Sequence, residues 1–561
     1  MIDKIKRWTE LHPYWLLTLV TIAALAPFLA KPFNIDDPLF IWAAKQIRAH
    51  PGDPYGFNVE WGWTSFPMWK VTENPPLVCY FIALSSTLFG WNETGLHLAF
   101  LLPATSAILG SYRLAKHFCG RPVLAALIVL LSPVFMVSSL TVMCDVTMLA
   151  LWIWAVVFWT EGISQEKAAK LAAATILVAL AEMTKYYGAC LLPLLAIYGL
   201  ISRRPLRQWA AYLTIPVAVL CAYQYATHVL YGRGLLYRAA DYASFSKTLY
   251  GFSKCENGLT ALAFTGGCLA SAVFFIPLCW RKREWGIPAV GAILFTAIVF
   301  SYTSYWNRYS ALHGANLMSA KIQMIFWATG GLCVLGLAVA DILRHRDGRS
   351  LLLFLWVAGT FFFAAFCNWT VNARSILPMT PAVAILVARR LETTKPGEEK
   401  TWSPAVITCL VASYGLAWFV TMSDFSIAGA CRQGAQEICD KYGGGPGTLW
   451  FQGHWGFQYY MQESGASPMD FKNSPLKPGD LLVVPANNTN LMPPDAQKSV
   501  LLETFTIPGA QGMATFNPVI GGGFYASAIA PLPFAFGSVP PDQIFVYGLK
   551  FPPGKPGSHS E

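Results

Sequence analysis

The chain alternates long apolar runs with short polar connections. Repeated runs of about 17–25 residues have the length that a helix needs to cross a bilayer. Thirteen spans are predicted, at about residues 13–31, 95–115, 122–140, 145–160, 170–185, 187–201, 209–229, 259–279, 286–303, 322–340, 351–368, 375–390 and 403–423. The pattern is typical of a polytopic α-helical membrane protein embedded in membrane lipids.

Composition and charge agree with this class. The 561 residues are 55% hydrophobic and only 12% charged, against about 25% charged in a soluble protein. The net charge of +10 is not a nucleic-acid signature, because the basic residues form short clusters between apolar runs. Each cluster follows an even number of spans, with none before the N-terminal cluster. By the positive-inside rule, the N-terminus is predicted to be cytoplasmic, and the first run to be a signal anchor. The clusters lie at about residues 4–7, 113–121, 167–170, 203–207, 281–283, 344–349 and 389–400.

The region after Asp424 differs from the rest, since glycine, proline and asparagine become frequent and long apolar runs stop. GTLWFQG and GDLLVVP predict short strands, and HWGFQYYMQESG predicts a helix that Gly465 ends. We therefore predict a transmembrane domain (residues 1–424) and a small extracytoplasmic α/β domain (residues 425–561), with about a dozen disordered residues at its end. Cys431 and Cys439 are both predicted outside, where a disulfide can form.

The first outer loop, about residues 32–94, is predicted to hold two helices that lie at the membrane surface. Asp37 and Pro38 fit the N-cap and first position of a helix with an apolar stripe. A second apolar stretch at about residues 77–89 is too short to span comfortably.

The predicted topology brings two kinds of charge to the outer face. Asp36, Asp37 and Asp145 are acids at helix mouths, and Lys185 and Arg374 are cations at the same level. Charged residues clustered at one membrane face indicate a reaction site. Asp36 has no predicted capping duty, which makes it the better candidate for a general base.

Each of these residues also has a structural explanation. Asp37 and Asp145 fit as helix caps, and Lys185 fits as a lysine that snorkels to the interface. Arg374 fits as a residue that solvates a loop. The combination of acids and cations on one face is more specific than any single member.

The order of motifs resembles a known family. Its elements here are the acidic pair after the first span, the stretch Asn74-Pro75-Pro76-Leu77, Asp145 in SSLTVMCDVTMLAL, Met183-Thr184-Lys185-Tyr186, and Arg374 to Pro378. Over about the first 390 residues this resembles bacterial GT-C fold glycosyltransferases of the protein O-mannosyltransferase and lipid A aminoarabinose transferase type. Two positions depart from the family: the second acid of the pair is Asp rather than Glu, and Asn74 replaces the lysine before the prolines.

The resemblance implies transfer of a hexose or pentose from a polyprenyl-phosphate-linked donor to a lipid, glycan or protein acceptor. It places the protein in a bacterial inner membrane, in glycan or lipopolysaccharide modification, and a single displacement is expected to invert the anomeric centre. Asp36, Asp37 and Asp145 then take catalytic roles, and Lys185, Arg374 and Asn74 bind the donor phosphate. The resemblance implies no cofactor, and a divalent metal stays open because the sequence has no clear ligand set.

Acceptor contacts are predicted from two places. Glu73 precedes the two prolines of the outer loop, where it also fits as an ordinary turn residue. His454 lies among Trp455, Tyr459 and Tyr460 in the C-terminal region, and aromatic faces with nearby polar groups suit a sugar. The same aromatic residues also fit as the core of that domain.

Two other classes compete with this function. A polytopic transporter often shows repeats and places its charged residues near mid-membrane, and neither feature is visible. A lipid-linked oligosaccharide polymerase or ligase also uses lipid-linked sugars, but would need a large outer loop late in the membrane region. Here the long membrane-proximal loop comes first.

Overall fold

The computed structural model describes residues 12–202, 204–280, 284–394 and 402–550. Within them the chain forms two compact units. The first, called here the membrane unit, comprises Met1–Ala30, Glu73–Asp424 and Gly512–Ser538. The second, called the α/β unit, comprises Lys31–Thr72, Phe425–Gln511 and Val539–Glu561. The basic clusters predicted at residues 4–7 and 281–283, the end of the cluster predicted at residues 389–400, and the predicted disordered tail lie outside the described residues.

Helices dominate the first part of the chain. In order they are α1 (Pro13–Leu25), α2 (Asp37–Ala49), α3 (Met68–Val71), α4 (Leu77–Phe89), α5 (Glu93–Phe118), α6 (Pro122–Leu130), α7 (Pro133–Ser138), α8 (Asp145–Gln165), α9 (Ala168–Thr184), α10 (Leu191–Ile201) and α11 (Thr214–Tyr231).

Further helices follow in the rest of the chain. They are α12 (Leu235–Tyr250), α13 (Lys254–Cys268), α14 (Ala270–Val273), α15 (Ile276–Cys279), α16 (Gly286–Ser301), α17 (Thr303–Asn307), α18 (Gly314–His345), α19 (Gly348–Phe362), α20 (Ala373–Ile376), α21 (Thr380–Thr394), α22 (Pro404–Tyr442) and α23 (Trp455–Glu463).

The described helices confirm a polytopic helical membrane protein. Six are long and apolar enough to cross a membrane, namely Glu93–Phe118, Asp145–Gln165, Ala210–Tyr231, Gly314–His345, Gly348–Cys367 and Pro404–Tyr442. Helical segments occupy the other predicted spans as well, but some are short or broken. The run at residues 122–140 divides before Pro133, because proline has no N–H to continue the ladder and instead begins the next helix.

The α/β unit is built on one five-stranded sheet. Its strands are β3 (Leu449–Phe451), β4 (Ser467–Pro468), β5 (Leu481–Pro485), β6 (Ser499–Ile507) and β11 (Asp542–Leu549). A separate two-stranded sheet of this unit pairs β1 (Asn58–Glu60) with β2 (Ser65–Pro67). The sheet order is β4-β3-β5-β11-β6. β3 runs parallel to β4 and β5, and β11 lies antiparallel between β5 and β6. The predicted strands and helix of this region are all present.

The two units differ from the predicted domains in two segments. Residues 31–72 cluster with the α/β unit. Residues 512–538, called here the returning segment, cluster with the membrane unit and contain the short pairs β7 (Met513–Ala514) with β10 (Ala535–Phe536) and β8 (Phe516–Asn517) with β9 (Gly522–Gly523). Cys431 and Cys439 are both free thiols in the described chain, so the disulfide that the sequence left open is not formed.

Candidate functional site

A buried ion pair joins two of the predicted site residues in the membrane unit. Lys185 Nζ lies 2.6 Å from Asp145 Oδ1. The Asp145 side chain is fully buried and the Lys185 side chain is 20% exposed. A carboxylate buried this deeply needs a cation or hydrogen bonds to remain charged. Lys185 therefore pairs with a buried charge in addition to any snorkelling to the interface. Asp145 pairs with a cation in addition to beginning a helix.

Helix packing positions this pair. Asp145 is the first residue of α8, and Lys185 directly follows α9 in an extended conformation. The two helices pack along one another, so the start of one meets the end of the other. Asp145 Oδ2 is buried and has no hydrogen-bond partner within the described residues.

Arg374 belongs to the same cluster. It lies on the one-turn helix α20, which Asn372 caps by accepting a 2.8 Å hydrogen bond from Ser375 N. Arg374 Nη1 is 3.2 Å from the Met143 sulfur, two residues before Asp145. The charges of Asp145, Lys185 and Arg374 all act on the intervening residue Cys144. The structure thus brings together one acid and both predicted cations.

Glu182 is a residue of this region that the sequence analysis missed. It lies on α9 one turn before Lys185 and is completely buried. Neither of its carboxyl oxygens has a hydrogen-bond partner among the described residues. A carboxyl group inside a predicted span is itself a functional signal, because such residues are costly in a membrane. That signal was present in the sequence.

Glu73 and Asn74 precede α4 in the membrane unit, and both are half-buried. The two carboxyl oxygens of Glu73 are inaccessible and have no hydrogen-bond partner in the described chain. Burial raises the pKa of Glu73 to about 8, although the charge of Arg238 on α12 opposes the shift. Glu73 also interacts electrostatically with Tyr186, the neighbour of Lys185. At neutral pH this carboxyl group is therefore mostly protonated.

Replacing Glu73 with glutamine should flatten the dependence of stability on pH. The pKa of the folded state lies above the unfolded value of about 4.3, so the wild type loses stability as pH rises from about 4.5 to 8. Glu73→Gln stays neutral and lacks this loss. Melting temperatures in detergent at pH 5, 7 and 9 should fall for wild type and for the exposed-site control Glu437→Gln, and less for Glu73→Gln. Parallel curves for all three proteins would contradict a buried neutral acid.

The acidic pair lies in the α/β unit. Asp36 is half-exposed at the N-cap position of α2, and its side chain makes no capping hydrogen bond. Asp37 is in the first turn and fully buried, and its Oδ2 accepts a 3.0 Å hydrogen bond from Asn34 N. The prediction that Asp37 is the N-cap was wrong by one residue, because the chain turns at Ile35 with φ of +51°. Asp37 stabilises that turn instead.

The loop before the acidic pair is fastened to helix α23 of the same unit. Phe33 N donates to the Tyr460 hydroxyl at 2.8 Å, and Gly456 N donates to Asn34 Oδ1 at 3.4 Å. A Cβ at Gly456 would come within 2.2 Å of Phe33 O, so only glycine permits this approach. The C-terminal helix thus supports the acidic pair, a link over more than 400 residues that the sequence did not reveal.

His454 and its aromatic neighbours are largely core residues. The imidazole stacks on Trp61 at 5.2 Å between ring centres, and its Nδ1 lies 3.0 Å from Gln458 Oε1. Burial lowers the pKa of His454, against the effect of its hydrogen bonds. Tyr459 and Tyr460 are also buried. His454, Tyr459 and Tyr460 are therefore explained mainly as core residues of the α/β unit.

A cleft in the α/β unit lies beside that core. Its volume is about 440 Å³, within the range of small-ligand sites. The Lys45–Glu463 ion pair, with 2.7 Å between Nζ and Oε1, crosses part of its wall. Its lining mixes aromatic, amide and charged groups, from Trp42, Lys45, Gln46, Phe57, Asn58, Val59, Glu60, Gln462 and Glu463.

A metal site is not visible among the described residues. There, no three His, Cys, Asp or Glu side chains lie together as metal ligands would. Among the predicted charged residues, Asp145 and Lys185 form an ion pair, and Arg374 lies near it.

Comparisons with known proteins extend this description. The model of the dolichyl-phosphate-mannose-protein mannosyltransferase family matches residues 73–228. ArnT from Cupriavidus metallidurans bound to undecaprenyl phosphate is 14% identical, with 84% of this chain and 92% of that chain covered and a TM-score of 0.48. The oligosaccharyltransferase of Archaeoglobus fulgidus in the apo form is 13% identical, with 83% and 65% covered and a TM-score of 0.49. No protein with a curated description matches the chain.

Another solved structure is similar over nearly the whole chain. Arabinofuranosyltransferase AftD from Mycobacteria is 13% identical, with 98% of this chain covered and a TM-score of 0.39. This chain spans 40% of the length of that protein.

The fold and the membrane-unit cluster define a multi-pass helical membrane protein with a charged site at its helix ends. Over residues 73–228 it is similar to the dolichyl-phosphate-mannose-protein mannosyltransferases, which confirms the family resemblance predicted from the motif order. That matched part includes Glu73, Asn74, Asp145 and Lys185.

Proposed function

We propose that the protein is a GT-C glycosyltransferase that moves a sugar from a polyprenyl-phosphate-linked donor to a lipid, glycan or protein acceptor. The observation that carries this proposal is the buried Asp145–Lys185 pair with Arg374 beside it. Two cations held in place beside a carboxylate are suited to contact an anionic donor headgroup.

The leaving group explains why cations matter more than a strong acid. When the bond from the anomeric carbon to the phosphate oxygen breaks, the lipid phosphate gains negative charge. Lys185 and Arg374 stabilise that charge, and groups fixed in advance do so most effectively. Asp145 holds Lys185 in place, and Asn74 is the remaining candidate for a phosphate contact.

The acceptor requires a base. A hydroxyl group that attacks the anomeric carbon must lose its proton, and Asp36 is our candidate because its carboxylate is half-exposed while Asp37 is buried in a turn. The proton passes to Asp36, the new glycosidic bond forms, and the polyprenyl phosphate leaves. A single displacement of this kind inverts the anomeric centre.

The α/β unit is the proposed acceptor side. Its 440 Å³ cleft offers an aromatic surface at Trp42 and polar groups at Gln46 and Glu463, a combination that suits a sugar. Glu73 and His454 are kept as candidates for orienting the acceptor. We place this unit outside a bacterial inner membrane, with the N-terminus in the cytoplasm.

Arg374→Gln should weaken use of the donor more than use of the acceptor. The loss of one charge-assisted hydrogen bond to phosphate predicts a donor KM raised roughly 10- to 100-fold, with the acceptor KM within about twofold. Steady-state rates with each substrate varied in turn measure both constants. Arg349→Gln, at an exposed arginine predicted on the cytoplasmic side, is the matched control. An Arg374 variant that changes only the acceptor KM contradicts the phosphate role.

A deletion strain tests the proposed function in the cell. Lipid-linked sugars and surface glycans are extracted and analysed by mass spectrometry. The proposal expects a polyprenyl-phosphate sugar to accumulate and one glycan, lipid or protein to lose a sugar residue, with both changes reversed by the wild-type gene. Unchanged lipid-linked sugars and unchanged glycans would contradict it.

A further inference from the structure

The returning segment, Gly512–Ser538, is built into the membrane unit beside Arg374. Ala373 N donates to Phe524 O at 2.9 Å, and Ser527 N donates to Val371 O at 2.8 Å. Val371 N in turn donates to Ser527 Oγ at 3.1 Å. These hydrogen bonds fasten the segment to the backbone on the N-terminal side of α20, which carries Arg374.

Tyr525 is the residue of this segment that reaches the Arg374 side chain. The guanidinium carbon lies 5.5 Å from the centre of the Tyr525 ring, within the distance for a cation–π interaction. Tyr525 is only 4% exposed, so water competes weakly for this contact. The ring therefore supports one side of the guanidinium, while the Met143 sulfur contacts Nη1.

The Tyr525 ring is itself held in place. Its hydroxyl donates to Asp424, whose two carboxyl oxygens both lie at 3.0 Å. Thr515 Oγ1 donates to the same carboxylate at 3.0 Å. Asp424 is 2% exposed and lies in the part of α22 that belongs to the membrane unit, so the ring is tied to this long helix. A chain of contacts thus runs from Asp424 through Tyr525 to Arg374.

We propose that Tyr525, held by Asp424, is a positioning residue that fixes the Arg374 guanidinium for a phosphate of an isoprenoid lipid. This inference rests on the proposed function, because it takes Arg374 as a phosphate ligand. It assigns a role in donor binding to a segment near the C-terminal end of the chain. Tyr525 acts through Arg374 and does not contact the phosphate itself.

The test measures binding of undecaprenyl phosphate to the detergent-solubilised full-length protein, with undecaprenol as the uncharged control. Tyr525→Leu should raise the Kd for undecaprenyl phosphate roughly 3- to 30-fold, the range expected for a desolvated cation–π contact. Binding of undecaprenol should not change. In an Arg374→Ala background the Tyr525 substitution should add nothing, because the contact that it removes is already lost.

Two further variants separate positioning from folding. Tyr525→Phe keeps the ring and loses the bond to Asp424, so its Kd should lie between wild type and Tyr525→Leu. Phe534→Leu, in the same segment, removes a ring that packs on Trp327 at 5.3 Å and should leave the Kd unchanged if the segment stays folded.

The outcomes are distinguishable. If wild-type protein bound undecaprenol and undecaprenyl phosphate with equal Kd, the proposed donor would be contradicted. A second result would be a preference for undecaprenyl phosphate over undecaprenol that falls in Arg374→Ala and stays at the wild-type level in Tyr525→Leu. That result would contradict the positioning role of Tyr525 and leave the proposed function standing. Equal losses in Tyr525→Leu and Phe534→Leu, or additive losses in the double variant, would likewise overturn the inference.

Discussion

Replacing Lys185 with methionine is expected to lower turnover by at least roughly 10²-fold, since removal of one fixed group that stabilises developing charge typically costs 10²–10³-fold. The same change leaves Asp145 buried without its cation. Removing one partner of a buried ion pair destabilises a protein by about 3–5 kcal/mol, so the melting temperature should also fall. Turnover must therefore be divided by the concentration of folded protein, so that lost stability is not counted as lost catalysis.

The double variant Asp145→Asn with Lys185→Met separates catalysis from folding. It removes the unpaired charge, so stability should recover toward wild type while turnover remains low. If the double variant regained turnover together with stability, the ion pair would be structural, and the assignment of Lys185 to the donor phosphate would be wrong.

Asp36→Asn is expected to lower turnover by roughly 10²–10⁴-fold, the usual contribution of a general base. Its melting temperature should stay close to wild type, because asparagine keeps the size and shape of the side chain at this half-exposed position. Turnover with a saturating lipid-linked donor, together with thermal unfolding, provides the two readouts.

Asp37→Asn is the matched comparison at the neighbouring position. An asparagine oxygen can still accept the hydrogen bond from Asn34 N, so activity should remain within about tenfold while stability falls modestly. The reverse pattern, with activity lost only in Asp37→Asn, would transfer the base to Asp37. Full activity in both variants would remove the acidic pair from the mechanism.

The hydrophobic pattern predicted the membrane class and many helix positions well. Helix α4 runs from Leu77 to Phe89, as predicted, because the prolines before it and Gly90 after it mark its ends. The break before Pro133 was missed, since the apolar run is continuous across it and hydropathy does not record hydrogen bonds. Sequence periodicity identifies apolar segments more reliably than it identifies interruptions within them.

The predicted boundary at Asp424 coincides with an end of the membrane unit, but helix α22 crosses it. Apolar character declines there, but α22 continues to Tyr442, because helical hydrogen bonding does not require an apolar sequence. The structure also assigns residues 512–538 to the membrane unit. Truncation near Asp424 would remove Tyr525 as well as the sheet, so it would not isolate the contribution of the α/β unit to acceptor choice.

The candidate site shows what sequence reasoning can and cannot supply. Asp145 and Lys185 were selected by type and topology, and their 2.6 Å contact fits that choice. The support of Arg374 by Tyr525 spans about 150 residues, and that of the acidic pair by α23 spans more than 400. Neither has a local sequence signal, since such contacts depend on tertiary packing.

The central claim is that the protein consumes a polyprenyl-phosphate-linked sugar. The direct measurement uses purified wild-type protein in liposomes, supplied with the lipid-linked sugar isolated from the deletion strain and with an extract that contains the acceptor. The account predicts stoichiometric release of polyprenyl phosphate and transfer of the sugar with inversion, both lost in Lys185→Met. Transfer that requires a nucleotide sugar, or release of a polyprenyl diphosphate, would contradict it.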